Sequence, residues 1–340
     1  MRNWQHYAEN TEDLVISSRI RVARNLNNRK FSHKLREDEE RELVKEVEDS
    51  LFKSSHIRQN YKSIHLWECS DLQATRYLEE HLISKELIKN KEGSAFVLGE
   101  EDTVSIMINE EDHIRLQCIS AGFNLRESYA LANKIDDLIE ESVEYAFDEK
   151  IGYITACPTN LGTGLRGSVM IHLPALTMNN EMNGILKALT QVGMTIRGLY
   201  GEGSKALGNI YQISNQITLG LSEEDIISNL EAVVNEIIGQ EIATRNRLYS
   251  TYKYELEDKI YRSLGILRSA ALLNLNECFE LLSSVRMGVE MGIIKDVDKC
   301  LLNQLLVATQ PASLQLSFNA RLNDKELNIN RARLVRETLK

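Results

Sequence analysis

Ala156-Cys157-Pro158-Thr159-Asn160-Leu161-Gly162-Thr163-Gly164-Leu165-Arg166-Gly167-Ser168-Val169-Met170-Ile171-His172-Leu173-Pro174 is the stretch on which the reading turns. Two of the chain's three prolines bracket it, and three glycines (Gly162, Gly164, Gly167) fall within six positions. Glycine admits positive φ and lets backbone approach a ligand closely. Val169 to Leu173 reads as a strand, apolar except for His172. A glycine-rich loop thus delivers one arginine, Arg166, into a strand, with Cys157 at its entrance. It is not a Walker loop, because no Gly-Lys-Ser/Thr follows, nor the GxGxxG of a dinucleotide turn. Taken alone it reads equally well as a plain turn.

Upstream, Leu14 to Val22 alternates as a strand does. Arg19 and Arg21 are two apart and therefore share one sheet face. Like charges side by side on a strand repel, so the pair is either solvated or arranged around an anion. Arg36 to Phe52 has the spacing of a surface helix, and Asp71 to Leu87 reads as a helix carrying His81. Ser63 to Trp67, Ser94 to Leu98, Val104 to Ile108 and His113 to Ile119 read as strands. The turn between the last two holds Glu110, Glu111 and Asp112. Adjacent carboxylates in a turn are either simply solvated or, by raising one another's proton affinity, suited to a general base. Arg115 follows Glu111 by four residues and can reach back toward it.

Downstream, Leu125 to Phe147 and Glu181 to Val192 read as helices, Met194 to Leu199 as a strand bearing Arg197, and Ile210 to Ile213 as the last strand. Gly198, Gly201, Gly203 and Gly208 make the intervening loop a candidate lid. Ser222 followed by three acids signals a helix start. A boundary is expected near residue 220, dividing residues 1–220 from a helical domain over 221–340, with helices over 222–264, 266–286, 296–308 and 322–339. The leucine and isoleucine stripes there suit a core or a dimer seam.

The central stretch resembles the Cys-Pro-Thr-Asn-Leu-Gly-Thr signature of the phosphagen (guanidino) kinases. Val15-Ile16-Ser17-Ser18-Arg19-Ile20-Arg21, Asn109-Glu110-Glu111-Asp112-His113-Ile114-Arg115, and Ile196-Arg197-Gly198 through Asn215 match further motifs of that superfamily in the same order. Within it the chain is most similar to the bacterial protein-arginine kinases (McsB type). The first motif begins at residue 15, so the N-terminal helical domain of ordinary phosphagen kinases is expected to be absent, and a helical region those enzymes lack follows residue 220.

The resemblance implies an α/β (α+β) fold, an antiparallel sheet flanked by helices and followed by a helical domain. It implies ATP-dependent phosphorylation of arginine side chains in proteins, with ATP and Mg2+. It also implies a stress-response role, an activating partner protein, and delivery of marked proteins to a Clp-type protease. On this reading Arg19, Arg21, Arg115, Arg166 and Arg197, with His81, hold the nucleotide; Glu111 is the base and Glu202 a second clamp on the acceptor guanidinium. Cys157 lines the acceptor side, or is simply a small buried apolar side chain; beside several arginines its thiol is expected to ionise more readily. His81 is either a nucleotide contact or a structural histidine. Tyr200 and Lys205 depart from the small-guanidine kinases, and the Arg-Asp pair that such protein kinases carry in the last helix has no counterpart in Glu326 to Arg331.

Composition sets the outer bounds. Of 340 residues 43% are apolar and 26% charged, ordinary for a globular protein. A net charge of −10 argues against a general nucleic-acid binder. No apolar run is long enough to span a membrane, and five scattered cysteines suggest neither a disulfide framework nor a zinc site, so a reduced cytoplasm is expected. Two rival functions are a kinase of free arginine or another small guanidine, and a nucleotide- or phosphoarginine-binding adaptor without turnover. A homodimer is the expected assembly if the helical stripes form a seam.

Overall fold

The structure, a computed structural model, describes residues 3–7, 13–198 and 206–340. The strands are β1 (Val15–Arg24), β2 (Lys62–His65), β3 (Ala95–Leu98), β4 (Val104–Ile108), β5 (Ile114–Ala121), β6 (Phe147–Asp148), β7 (Gly152–Tyr153), β8 (Leu165–His172), β9 (Met194–Gly198) and β10 (Ile210–Asn215). Among the described residues eight of them form one sheet in the order β2-β3-β4-β5-β1-β8-β10-β9. Neighbours run antiparallel at every junction. β6 and β7 form a separate small hairpin.

The helices are α1 (Glu37–Leu51), α2 (Ser55–Asn60), α3 (Asp71–Glu79), α4 (Lys85–Lys89), α5 (Leu125–Glu140), α6 (Pro174–Met178), α7 (Met182–Gln191), α8 (Glu223–Thr251), α9 (Lys253–Ser269), α10 (Leu275–Glu290), α11 (Lys299–Ala308), α12 (Pro311–Ser317) and α13 (Asp324–Thr338). No helix among the described residues is long and apolar enough to cross a membrane.

Alternation along the strands gives the sheet two unlike faces. Ile20, Val22, Leu116, Cys118, Leu165 and Val169 point to one, where they form the main core with α1, α5 and the first half of α8. The other face is polar at its centre. Its flanks are covered by apolar groups: Leu82, Leu87, Phe96 and Met107 on the α3–α4 side, and Trp4, Ile119, Met170, Phe279, Leu306 and Val307 on the side of the helical region. α9, α10, α11 and α13 share a core of their own, built around Ile260, Leu264, Leu282, Leu305 and Val335.

A buried ionic cluster ties the helical region to the sheet. His172, at the end of β8, contacts Glu290 through Nδ1 at 3.0 Å and Ser283 through Nε2 at 2.8 Å. Arg245 of α8 donates to Glu290 at 2.9 Å and to Glu241 at 2.7 Å, and Glu241 in turn accepts from the Ala175 and Leu176 N–H groups that open α6. Burial pushes Glu290 up, but His172, Arg245 and Lys299 together hold it well below the usual carboxylate range. The surplus of cationic partners is what makes a fully buried carboxylate tolerable here.

Several boundaries differ from the periodicity reading. The expected helix over 222–264 is two helices, because Tyr252 leaves helical geometry at φ −129° and α9 turns back to pack on α10. The expected 125–147 helix ends at Glu140, where the chain turns to pair Leu26 with Tyr145 beside β1. Tertiary packing overrides helical spacing in both cases.

Candidate active site

The strand register builds a row of cations on the polar face. Arg21 of β1 lies opposite Arg166 of β8 and Gln117 of β5, and Arg19 lies opposite Ser168 and Ile119. Arg115 is two residues from Gln117, and Arg197 of β9 faces Gln212 of β10. Period-two geometry therefore places Arg19, Arg21, Arg115, Arg166 and Arg197 on one face, although they come from four segments. Interleaved polar residues hold some of them. Arg19 donates through Nε to Ser168 Oγ at 3.3 Å and through Nη2 to Gln212, and Arg166 donates to Ser214 at 3.2 Å.

The row is under-compensated. Arg21 Nε and Nη2 and Arg166 Nε are covered from solvent and have no hydrogen-bond partner among the described residues. Burial, then the charges of Arg19, Arg115 and Arg166, push Arg21 well below the usual arginine value, with Glu110 opposing. A guanidinium keeps its proton in a protein, so the shift measures positive charge without an anion. Burial, Arg197 and Arg115 likewise lower Arg166, while Cys157 and Glu111 oppose. Orphaned, forked donors fit phosphate oxygens, which accept in the same bidentate geometry.

His81 is not on a helix as its spacing suggests. α3 ends at Glu79, the Leu82 N–H bonds Tyr77 O at 2.9 Å and the His81 N–H bonds Leu78 O at 3.0 Å. This is a Schellman closure, with His81 in the left-handed position at φ +62° where glycine is usual. The turn carries the imidazole over the cation row, into a small cavity shared with Arg19, Ser168 and Gln212. Burial and Arg19 hold it down to about 3, so it is neutral at ordinary pH.

The three adjacent carboxylates have three separate fates. Glu110 is buried and ion-paired to Arg115. Burial raises it, but Arg115, Ser84 and the Glu111 N–H leave it below its usual value. Asp112 is buried and structural: it accepts from Asn25 at 2.7 Å, the Ala156 N–H at 2.6 Å and Asn160 at 3.4 Å, clamping the acidic turn to the glycine-rich loop. Glu111 is the exposed one. Partial burial raises its pKa, as do Glu110, Asp112 and Glu86, against the pull of Arg115. Glu111, Glu110, Glu86, Glu40 and Cys157 line a cleft of about 630 Å³. Cys157 Sγ is 3.0 Å from Thr159 Oγ1.

The loop is held at its far end too. Gly164, at φ +65°, lies against β1 so closely that a Cβ would sit 2.6 Å from Ala23 O. Arg24 donates to Thr163 O at 2.9 Å and is itself paired with buried Asp136 at 2.6 Å under the Tyr153 ring. Sequence reasoning saw Asp112 only as one of three acids in a turn, and missed Arg24, Gln117, Gln212, Ser168 and Ser214. The alternations Arg115/Gln117, Arg166/Ser168 and Gln212/Ser214 were the available signal for the last four. Glu202, Tyr200 and Lys205, and most of the expected lid, lie outside the described residues.

Residues 42–244 match the ATP:guanido phosphotransferase C-terminal catalytic domain, and residues 253–340 match the protein-arginine kinase McsB C-terminal domain. A relative from Clostridium kluyveri, a protein-arginine kinase, is 60% identical over 340 residues, all of this chain and 99% of that one. Protein-arginine kinases from Clostridium acetobutylicum (58% identical, all of both chains) and Bacillus pumilus (45%, all of this chain and 94% of that one) are also similar. Among solved structures, a lombricine kinase superposes with TM-score 0.60 at 26% identity, covering 70% of this chain and 68% of that one. The duplicated taurocyamine kinase from Schistosoma mansoni shares the fold at 23% identity and TM-score 0.60, covering 76% and 39%. With these matches spanning both the sheet and the helical region, the chain belongs to the ATP:guanido phosphotransferase family and, within it, to the protein-arginine kinases.

Proposed function

We propose that the chain transfers the γ-phosphoryl group of ATP to arginine side chains of proteins. The observation that carries this is the juxtaposition of an anion-seeking guanidinium row with an acidic cleft containing one exposed carboxylate, Glu111, of raised proton affinity. Arg19, Arg21, Arg115, Arg166 and Arg197 hold the triphosphate, and His81 packs beside it in its neutral form. Such a transfer needs mainly positioning and charge stabilisation, and one arginine at the transition state is worth about 10³–10⁵ in rate. Among the described residues no group of three or more His, Cys, Asp or Glu side chains is placed to hold a metal ion, so Mg2+ would come with the nucleotide and supply further charge neutralisation. On the acceptor side, the guanidinium is cationic and its nitrogen is a poor nucleophile until a proton leaves. Glu111 takes that proton as the N–P bond forms and the P–O bond to ADP breaks. Cys157 lines the acceptor, and Glu202 is a second carboxylate clamp on it.

The family resemblance extends the proposal to an activating partner, Clp-type proteolysis of marked proteins under stress, a homodimer and a cytoplasmic setting. The decisive experiment is mass spectrometry, under non-acidic conditions, of a denatured protein and of free arginine, each treated with ATP and this chain. Acid-labile phosphate on protein arginines is the expected product; label on free arginine alone would replace this reading with the small-guanidine one. Glu111→Gln should lose transfer while still binding nucleotide, and the parent's rate should fall on acidification at a pH above the ordinary carboxylate value of 4.5. Unchanged transfer in that variant would remove Glu111 from the base role.

A further inference from the structure

The geometry points to Glu86 of α4 as a specificity residue that favours acceptor arginines flanked by basic residues and disfavours those flanked by acidic ones. The inference rests on the arginine-kinase reading of the same cleft and goes beyond it to the class of peptide that enters. The cleft is larger than one arginine side chain requires, so residues beside the acceptor also enter it. Its lining includes four carboxylates (Glu40, Glu86, Glu110, Glu111) against one ammonium, Lys89. Glu110 is already neutralised by Arg115. Glu40 is buried and accepts from the Asn90 amide at 2.9 Å. Glu111 faces the acceptor itself. That leaves Glu86, paired among the described residues only with the exposed Lys89, as the carboxylate on the cleft wall able to meet a neighbour of the acceptor.

Two features make Glu86 available for this. First, α4 is fixed relative to the acidic turn, because Ser84 caps Leu87 N–H at 3.1 Å and also bonds Glu110. Second, the present partner of Glu86 is exchangeable. Lys89 contacts it at 2.7 Å, but the two side chains are 44% and 70% exposed. An ion pair so open to water holds weakly and yields to a competing cation. A lysine or arginine next to the acceptor would displace Lys89, whereas a flanking carboxylate would meet the acidic excess of the lining.

The test uses the full chain, ATP and synthetic peptides holding one arginine between two lysines, two alanines or two glutamates. Two unit charges several ångströms apart at a protein surface predict about a fivefold higher kcat/KM for the lysine peptide than for the alanine one, and about fivefold lower for the glutamate peptide. The effect should lie mainly in KM and shrink at high salt. Glu86→Gln should reduce each ratio to about twofold, and Lys89→Gln should widen both. Equal kcat/KM for the three peptides, or undiminished discrimination in Glu86→Gln, would overturn the inference while leaving the kinase reading intact. Failure to label any peptide or a denatured protein would overturn the kinase reading, and this inference with it.

Discussion

Replacing Arg21 by methionine should make the ligand-free protein more stable and the nucleotide complex weaker. Arg21 has three cationic neighbours, Arg19, Arg115 and Arg166, and one opposing carboxylate, Glu110. At roughly 8 Å and an effective dielectric of about 20, each like-charged neighbour costs about 2 kcal/mol. Glu110 cancels one of the three, and partial solvent access reduces the remaining repulsion to about 2 kcal/mol. Two of its donors are also covered without a partner, at about 1 kcal/mol or more each. Methionine keeps most of the aliphatic stem's packing and removes the charge. The two relieved costs sum to a gain of about 4 kcal/mol, which for the unfolding entropy of a 340-residue chain is roughly 6 °C in melting temperature. With ATP present the order should reverse. Losing one or two charge-assisted bonds to phosphate, at about 1.5–3 kcal/mol each, weakens ATP by at least tenfold. Scanning fluorimetry in buffer, then with ATP or pyrophosphate, together with calorimetric titration, reads both effects. A variant that melts lower in buffer, yet keeps the parent's ATP-dependent shift, would show that Arg21 is structural and would refute the reasoning.

Two further outcomes follow from groups outside the cation row. Asp112→Ala should strand the Ala156 N–H and one N–H of the Asn25 amide, whose other N–H keeps Ile154 O, costing about 2–4 kcal/mol by urea denaturation, and should lower the transfer rate more than ATP affinity; equal losses in both would deny it a positioning role. His172 is held down to about 4 by burial, only partly offset by Glu290, against 6.5 for the free side chain. As pH falls the unfolded chain therefore takes up this proton first, so stability drops through the window from 6.5 to 4. The loss between pH 7 and pH 5 is about 2 kcal/mol, and His172→Gln should flatten that part of the profile; an unchanged slope would place the acid sensitivity elsewhere.

The parts of the site legible in the sequence are those governed by strand alternation. Arg19 and Arg21 had to share a face, and motif order pointed to the segments that lie beside them. What was illegible depends on three-dimensional neighbours. Nothing local distinguishes Glu110, Glu111 and Asp112; Arg115, the open cleft and the Ala156 N–H do so. His81 sits at a left-handed turn because Leu82 and Tyr77 close the end of α3, and period counting carried the helix through it. The cluster of His172, Arg245 and Glu290 joins residues more than 100 positions apart in the chain, so no motif could announce it.

The all-antiparallel pairing has a consequence for how this protein can vary. Since β1, β5, β8, β9 and β10 contribute to both the phosphate-facing comb and the oily underside, deleting a single residue within one of them would exchange the two sets along that strand. Individual side chains are open to substitution, whereas a one-residue insertion or deletion inside a strand has to be absorbed locally, as it is at the irregularity of β1 between Val15 and Ser17.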